Sequence, residues 1–226
     1  MKNILFIVTS HSKMGSTNHA TGVWFEELSS PYYIFKDAGH NIDIVSITGG
    51  IVPIDPNSQG AIGENPSSVD RFLKDEHAMN TIKNTKSITE IDIDKYSAIF
   101  IPGGHGTMWD LPENNTLASI VNKALEMGKV VAAVCHGPSG LVSAVDKNGD
   151  PIVKGRKVAA FTNKEEEAVG LTEVVPFSLE DRLRALGADI HQALDFEAFA
   201  IADGNLITGQ NPASSEKTAE LVISKL

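Results

Sequence analysis

The chain has 226 residues, 42% of them hydrophobic, which is enough for one domain with a substantial core. A formal net charge of −10 at pH 7, with no Lys/Arg-rich run, excludes nucleic acids and anionic membranes as partners, since both need a basic footprint. One cysteine excludes an intramolecular disulfide and any multi-cysteine metal site.

In chain order, the first element is the apolar run "ILFIV" (4–8), too short for a secretory signal or a membrane span. A soluble cytoplasmic protein is expected. Further runs rich in β-branched residues follow: "IDIVSI" (42–47), "AIFIPGG" (98–104), "VVAAVC" (130–135), "KVAAF" (157–161) and "LITG" (206–209). Unbroken runs of this kind fit strands buried on both faces of a parallel sheet. Between them, helical spacing predicts helices over roughly 21–38, 67–86, 114–127, 138–146, 178–186 and 213–225. Gly39, Gly128 and Gly187 stand just past three of these helices, where a residue must take positive φ. Pro31 should kink or interrupt the first helix. Asn211 or a nearby serine should cap the last one, with Pro212 in its first turn.

The alternation of strands and helices predicts an α/β fold: a flavodoxin-like, doubly wound, mostly parallel sheet with helices on both faces. The connection before "AIFIPGG" is far longer than such units need. Residues 49–95 are therefore expected to form a small cap insertion within a single domain spanning 1–226.

The lone Cys135 stands where an apolar run stops and "HGPSG" begins, at the carboxyl end of a predicted strand, where open α/β sheets bind ligands. A strand turning sharply into a helix resembles a nucleophile elbow. The glycines and helix N-terminus after Cys135 should lower its thiol pKa and enlarge the thiolate fraction. A second loop, carrying Gly103, Gly104 and His105, reaches the same edge. Its glycines would let backbone N–H groups approach a substrate oxygen, and with the His136 N–H would form an oxyanion hole. His105 could line the pocket or merely bond the backbone. His11, His19, His40 and His77 have no metal-ligand spacing. Trp24 and Trp109 could form a pocket wall, although core packing is the commoner use.

The motifs "TGVWFEELSSP", "PGGHGTMWDLP", "VVAAVCHGPSGL", "AFTNKEEEAVG" and "LITGQNPASS", in this order, resemble the ThiJ/PfpI superfamily, in particular its glyoxalase III-like, heat-shock-chaperone-like branch. The resemblance implies Cys135 as nucleophile and His136 as its histidine. It implies Glu166 as the supporting acid, with Glu165 and Glu167 as neighbouring readings, and Glu27 as proton shuttle, with Glu26 as the alternative. It further implies a lyase of the D-lactate dehydratase type: a glutathione-independent glyoxalase turning methylglyoxal and related 2-oxoaldehydes into 2-hydroxy acids without cofactor or metal, and acting as a homodimer. A holdase chaperone, a protein deglycase, a redox-responsive protein and, more remotely, a peptidase are the alternatives. A glutaminase would need a distant histidine followed two residues later by glutamate, and "HQALD" at His191 does not supply it.

Overall fold

The structure, a computed structural model, describes all 226 residues. The strands are β1 (Asn3–Val8), β2 (Asn41–Ser46), β3 (Lys86–Ser87), β4 (Ala98–Ile101), β5 (Val130–Val134), β6 (Lys157–Val158), β7 (Asp189–Ile190), β8 (Ala200–Asp203) and β9 (Leu206–Gly209). The helices are α1 (Phe25–Asp37), α2 (Ser67–Lys74), α3 (Glu76–Lys83), α4 (Thr107–Asp110), α5 (Asn115–Glu126), α6 (Asn163–Ala168), α7 (Leu179–Ala185) and α8 (Ser215–Ile223). Seven strands form one sheet in the order β3-β2-β1-β4-β5-β9-β8, parallel throughout except for β8, which runs antiparallel to β9. Strands β6 and β7 pair separately. The α/β, mostly parallel architecture is as the alternating runs predict.

The apolar runs are unbroken because the pleat sends successive side chains to opposite faces and both faces are covered. Leu5 and Ile7 join Ile99, Ile101, Val131 and Ala133 in a cluster of 27 buried residues beneath α5 and α7. Ile4, Phe6 and Val8 join Phe100, Ala132 and Val134 in a cluster of 25 beneath α1, α2 and α8. Two clusters of nearly equal size mean that neither face is left to solvent.

Several boundaries differ from expectation, each for a local reason. The helix expected over 67–86 divides at Asp75, whose side chain accepts from Ala78 N at 3.0 Å and starts a new helix. Helix α1 runs unbroken through Pro31, whose missing N–H costs one intrahelical bond while the buried helix face keeps its packing. The strand expected over 157–161 is only two residues long. No helix forms over 138–146: a 3₁₀ turn at Gly137–Leu141 takes its place, with Pro138 and two glycines inside it. The very short elements β3, β7, β8, α4 and α6 carry too little periodicity to be read in advance. Gly39, Gly128 and Gly187 do take positive φ, at 81°, 72° and 89°.

The long connection folds beside α1. Val23 N donates to Pro53 O at 2.8 Å, Phe25 N to Ser58 Oγ at 3.0 Å and Thr21 Oγ1 to Asp55 Oδ2 at 2.9 Å. Further along, Phe72 packs edge-on against Phe25 and Tyr32. These contacts fix the start of α1, which carries Glu27.

Candidate active site

Strands β4 and β5 pair in register through Ile101 and Ala133, so the loops leaving their carboxyl ends emerge side by side. Cys135 follows β5 with φ at 61°, a left-handed conformation rare for a residue with a Cβ and costing of order 1 kcal/mol or more. Two bonds hold it there: Cys135 N donates to Gly209 O at 3.0 Å, and Phe161 N donates to Cys135 O at 2.9 Å. Gly137 completes the elbow, since a Cβ there would stand 2.2 Å from Ile101 O. The sharp turn aims the thiol away from the strand axis.

Glu27 lies in the first turn of α1 and is wholly buried. Its Oε2 accepts from Gly103 N at 2.7 Å, while its Oε1 is the one buried side-chain N or O atom with no hydrogen-bond partner. Burial pushes the carboxyl pKa up to about 8; the Cys135 thiol and the Gly103 N–H pull it back, and Glu26 adds to the rise. Glu27 is therefore protonated at neutral pH. With Oε2 accepting an N–H, its proton belongs on Oε1.

The thiol departs from expectation. Burial, followed by the adjacent Glu27 carboxyl, raises the Cys135 pKa well above the ordinary thiol value, although the N–H groups of Gly104 and His136 act in the opposite direction. Backbone donors are present, as the glycines suggested. Desolvation outweighs them, and the 3₁₀ turn supplies no long helix.

The second loop also divides its labour differently. Gly103 N–H is engaged by Glu27, so it does not serve as an oxyanion donor. That leaves Gly104 and His136 as the pair of N–H groups facing the sulfur. Gly104 must be glycine: φ is 91°, and a Cβ would stand 2.2 Å from Gly22 O.

His136 is fully buried, with Nδ1 3.3 Å from Cys135 Sγ and Nε2 2.7 Å from Glu166 Oε2. His105 Nε2 lies 2.8 Å from Glu166 Oε1, so His105 neither lines the pocket freely nor bonds the backbone. Burial opposes ionisation of Glu166, but the His136 ring and hydrogen bonds from His105 and His136 hold its carboxyl well below the usual range. Burial first, then the neighbouring His105, lowers the pKa of His136. A carboxylate can only accept, so both imidazoles present Nε2–H to Glu166. Neutral His136 then has its lone pair on Nδ1, directed at the thiol.

Glu166 is thus the one of three successive glutamates that reaches His136. Glu165 is wholly buried in structural work: its carboxylate accepts from Thr162 N, Phe196 N, Gln210 Nε2 and Asn211 Nδ2. Glu167 is exposed. The rings of Phe161 and His105 pack against the His136 imidazole, with centroids 4.5 and 4.1 Å from it. A cavity of about 400 Å³ opens beside Phe161 and Glu166. Trp109 stacks on His11. Cys135 itself is only 4% exposed, which restricts it to small reactants.

A parallel α/β sheet bearing a strained cysteine elbow, an adjacent histidine and a buried carboxyl defines a class of cysteine-dependent proteins. This chain belongs to the DJ-1/PfpI family, whose model matches residues 19–225. It is 36% identical to a probable glutathione-independent glyoxalase of Schizosaccharomyces pombe, over 91% of this chain and 90% of the relative. It is 31% identical to glyoxalase 3 of Candida albicans, over 99% and 98%. Among solved structures, Rapid Encystment Protein 24 kDa of Francisella tularensis is similar with a TM-score of 0.95 at 43% identity, covering 99% of this chain and 98% of that one. Glyoxalase III of Candida albicans gives 0.89 at 30%, covering 99% and 96%.

Proposed function

We propose that the protein is a glutathione-independent glyoxalase that converts methylglyoxal and related 2-oxoaldehydes to 2-hydroxy acids. The observation that carries this reading is the convergence of a nearly buried thiol, the fully buried Glu27 carboxyl and His136 Nδ1, 3.3 Å from the sulfur. Full-length likeness to relatives named as glyoxalases supports it.

In this reading His136 Nδ1 takes the thiol proton as Cys135 Sγ attacks the aldehyde carbon, and Glu166 stabilises the imidazolium. The Gly104 and His136 N–H groups hold the developing oxyanion, and Glu27 protonates it to give the hemithioacetal. Glu27, now a carboxylate, removes the proton from the former aldehyde carbon while His136 protonates the neighbouring carbonyl oxygen, forming an enediol. Glu27 returns its proton to the second carbon as His136 accepts the hydroxyl proton, leaving a thioester. The Glu27 carboxylate then activates water, and the His136 imidazolium protonates the departing sulfur. The sum is addition of one water to the oxoaldehyde, with every catalytic group restored.

The further parts of the reading are product of the D configuration, a homodimer and a cytoplasmic location. No helix is long and apolar enough to cross a membrane, which is compatible with that location. We take the chain as a single domain in which segment 49–95 buttresses the entry to α1. Glutathione-free conversion of methylglyoxal to lactate by the purified protein tests the reading. No lactate from intact, reduced protein would overturn it.

A further inference from the structure

We propose that His105, His136 and Glu166 form a site for one divalent ion of the zinc type, and that occupying it silences the thiol by claiming His136 as a ligand. One ring nitrogen from each histidine and one carboxylate oxygen lie within 4.8 Å of one another, and all three residues are buried. Two imidazoles with one carboxylate suit zinc and its neighbours in the first transition row better than magnesium or calcium, which prefer all-oxygen shells.

The present geometry is that of a hydrogen-bonded set. Tetrahedral ligation at about 2.0–2.1 Å places ligand atoms about 3.3 Å apart. The two N···O contacts, 2.8 Å to Oε1 and 2.7 Å to Oε2, are made to different oxygens of Glu166, so ligation through one oxygen opens that contact by about half an ångström and requires the other histidine to shift toward it. His105 lies in the loop between β4 and α4, whereas His136 is anchored to the elbow.

Protons account for the consequence. An imidazole that ligates through Nε2 carries its N–H proton on Nδ1. His136 then directs an N–H, not a lone pair, at Cys135 Sγ, 3.3 Å away. It can no longer accept the thiol proton. The sulfur faces the ring nitrogen opposite the ion, so it is not a ligand.

Co²⁺ provides the probe. Titration of the chelator-treated protein should develop the visible absorption of low-coordinate Co²⁺ at one equivalent, without the near-ultraviolet sulfur-to-cobalt charge-transfer band. Cys135→Ser should keep this binding, and His105→Asn should weaken it by about tenfold or more. Should His105→Asn fail to fold by circular dichroism, the wild-type spectrum and Cys135→Ser decide the matter. Absence of the band, a charge-transfer band, or binding lost in Cys135→Ser would overturn the proposal. Reversible inhibition of lactate formation by Zn²⁺ rests additionally on the glyoxalase reading; the spectra do not, so the two can fail separately.

Discussion

Glu27 sets the protonation state of the site, and the consequence is measurable without any substrate. Its ordinary carboxyl value is near 4.5 and its value in the fold is about 8. The stability it contributes is fully present below the first value and is lost as pH rises to the second, because only the unfolded chain ionises it readily in that window. Unfolding free energy of the wild type should therefore fall relative to Glu27→Gln by about 1.4 kcal/mol per pH unit between roughly pH 5 and 8. Denaturant titrations at several pH values would check this; parallel curves for the two proteins would contradict it. Glu166→Gln should lower turnover by roughly 10²-fold, because an amide presents its own donors to two imidazoles that need an acceptor. Steady-state kinetics would reveal it, with unfolding curves to separate lost activity from lost fold. Cys135 and His136 were legible because they adjoin one another at a visible strand end. The role of Gly103 was not, since its partner Glu27 is 76 residues away. The raised thiol pKa was misread for a related reason: donors can be counted in a sequence, but the burial that outweighs them exists only after packing.

At the scale of elements, the site depends on two loops approaching more closely than side chains permit. Gly104→Ala forces a Cβ into Gly22 O at a backbone conformation that favours glycine. It should destabilise the fold by at least about 1–3 kcal/mol, seen as a lower denaturation midpoint. Unchanged stability would mean that the loop is slack and that Gly104 N–H is not fixed toward the sulfur. Long, strongly patterned elements such as β1, β5, α5 and α8 were readable because burial on one or both faces imposes their periodicity. The 3₁₀ turn after Cys135 was mistaken for a helix because its small apolar residues satisfy the spacing, while the contact of Gly137 with Ile101 O, invisible in one dimension, decides the geometry. Helices α2 and α3 were read as one because a single aspartate that caps a new turn leaves the apolar spacing nearly undisturbed.

For the molecule as a whole, the sheet is the instrument that brings distant residues together. Strands β4, β5 and β9 end at one edge, α1 delivers Glu27 from the face beside them, and α6 carries Glu166 in from a segment 30 residues beyond His136. The doubly wound order was legible from the alternating runs, and with it the edge where chemistry belongs. Glu166 was named with Glu165 and Glu167 left as neighbouring readings, because two of the three, Glu165 and Glu166, are buried, and the capping box through Thr162 and Glu165 that fixes the rotation of the short α6 gives Glu165 a different task. The central claim is that Cys135 and Glu27 act together on a small carbonyl. Its most direct test is lactate formation from methylglyoxal without glutathione, compared among the wild type, Cys135→Ala and Glu27→Gln, each shown to be folded. The account expects turnover in the wild type, none above background in Cys135→Ala, and a loss of about 10²-fold or more in Glu27→Gln. Turnover that survives either substitution would contradict it.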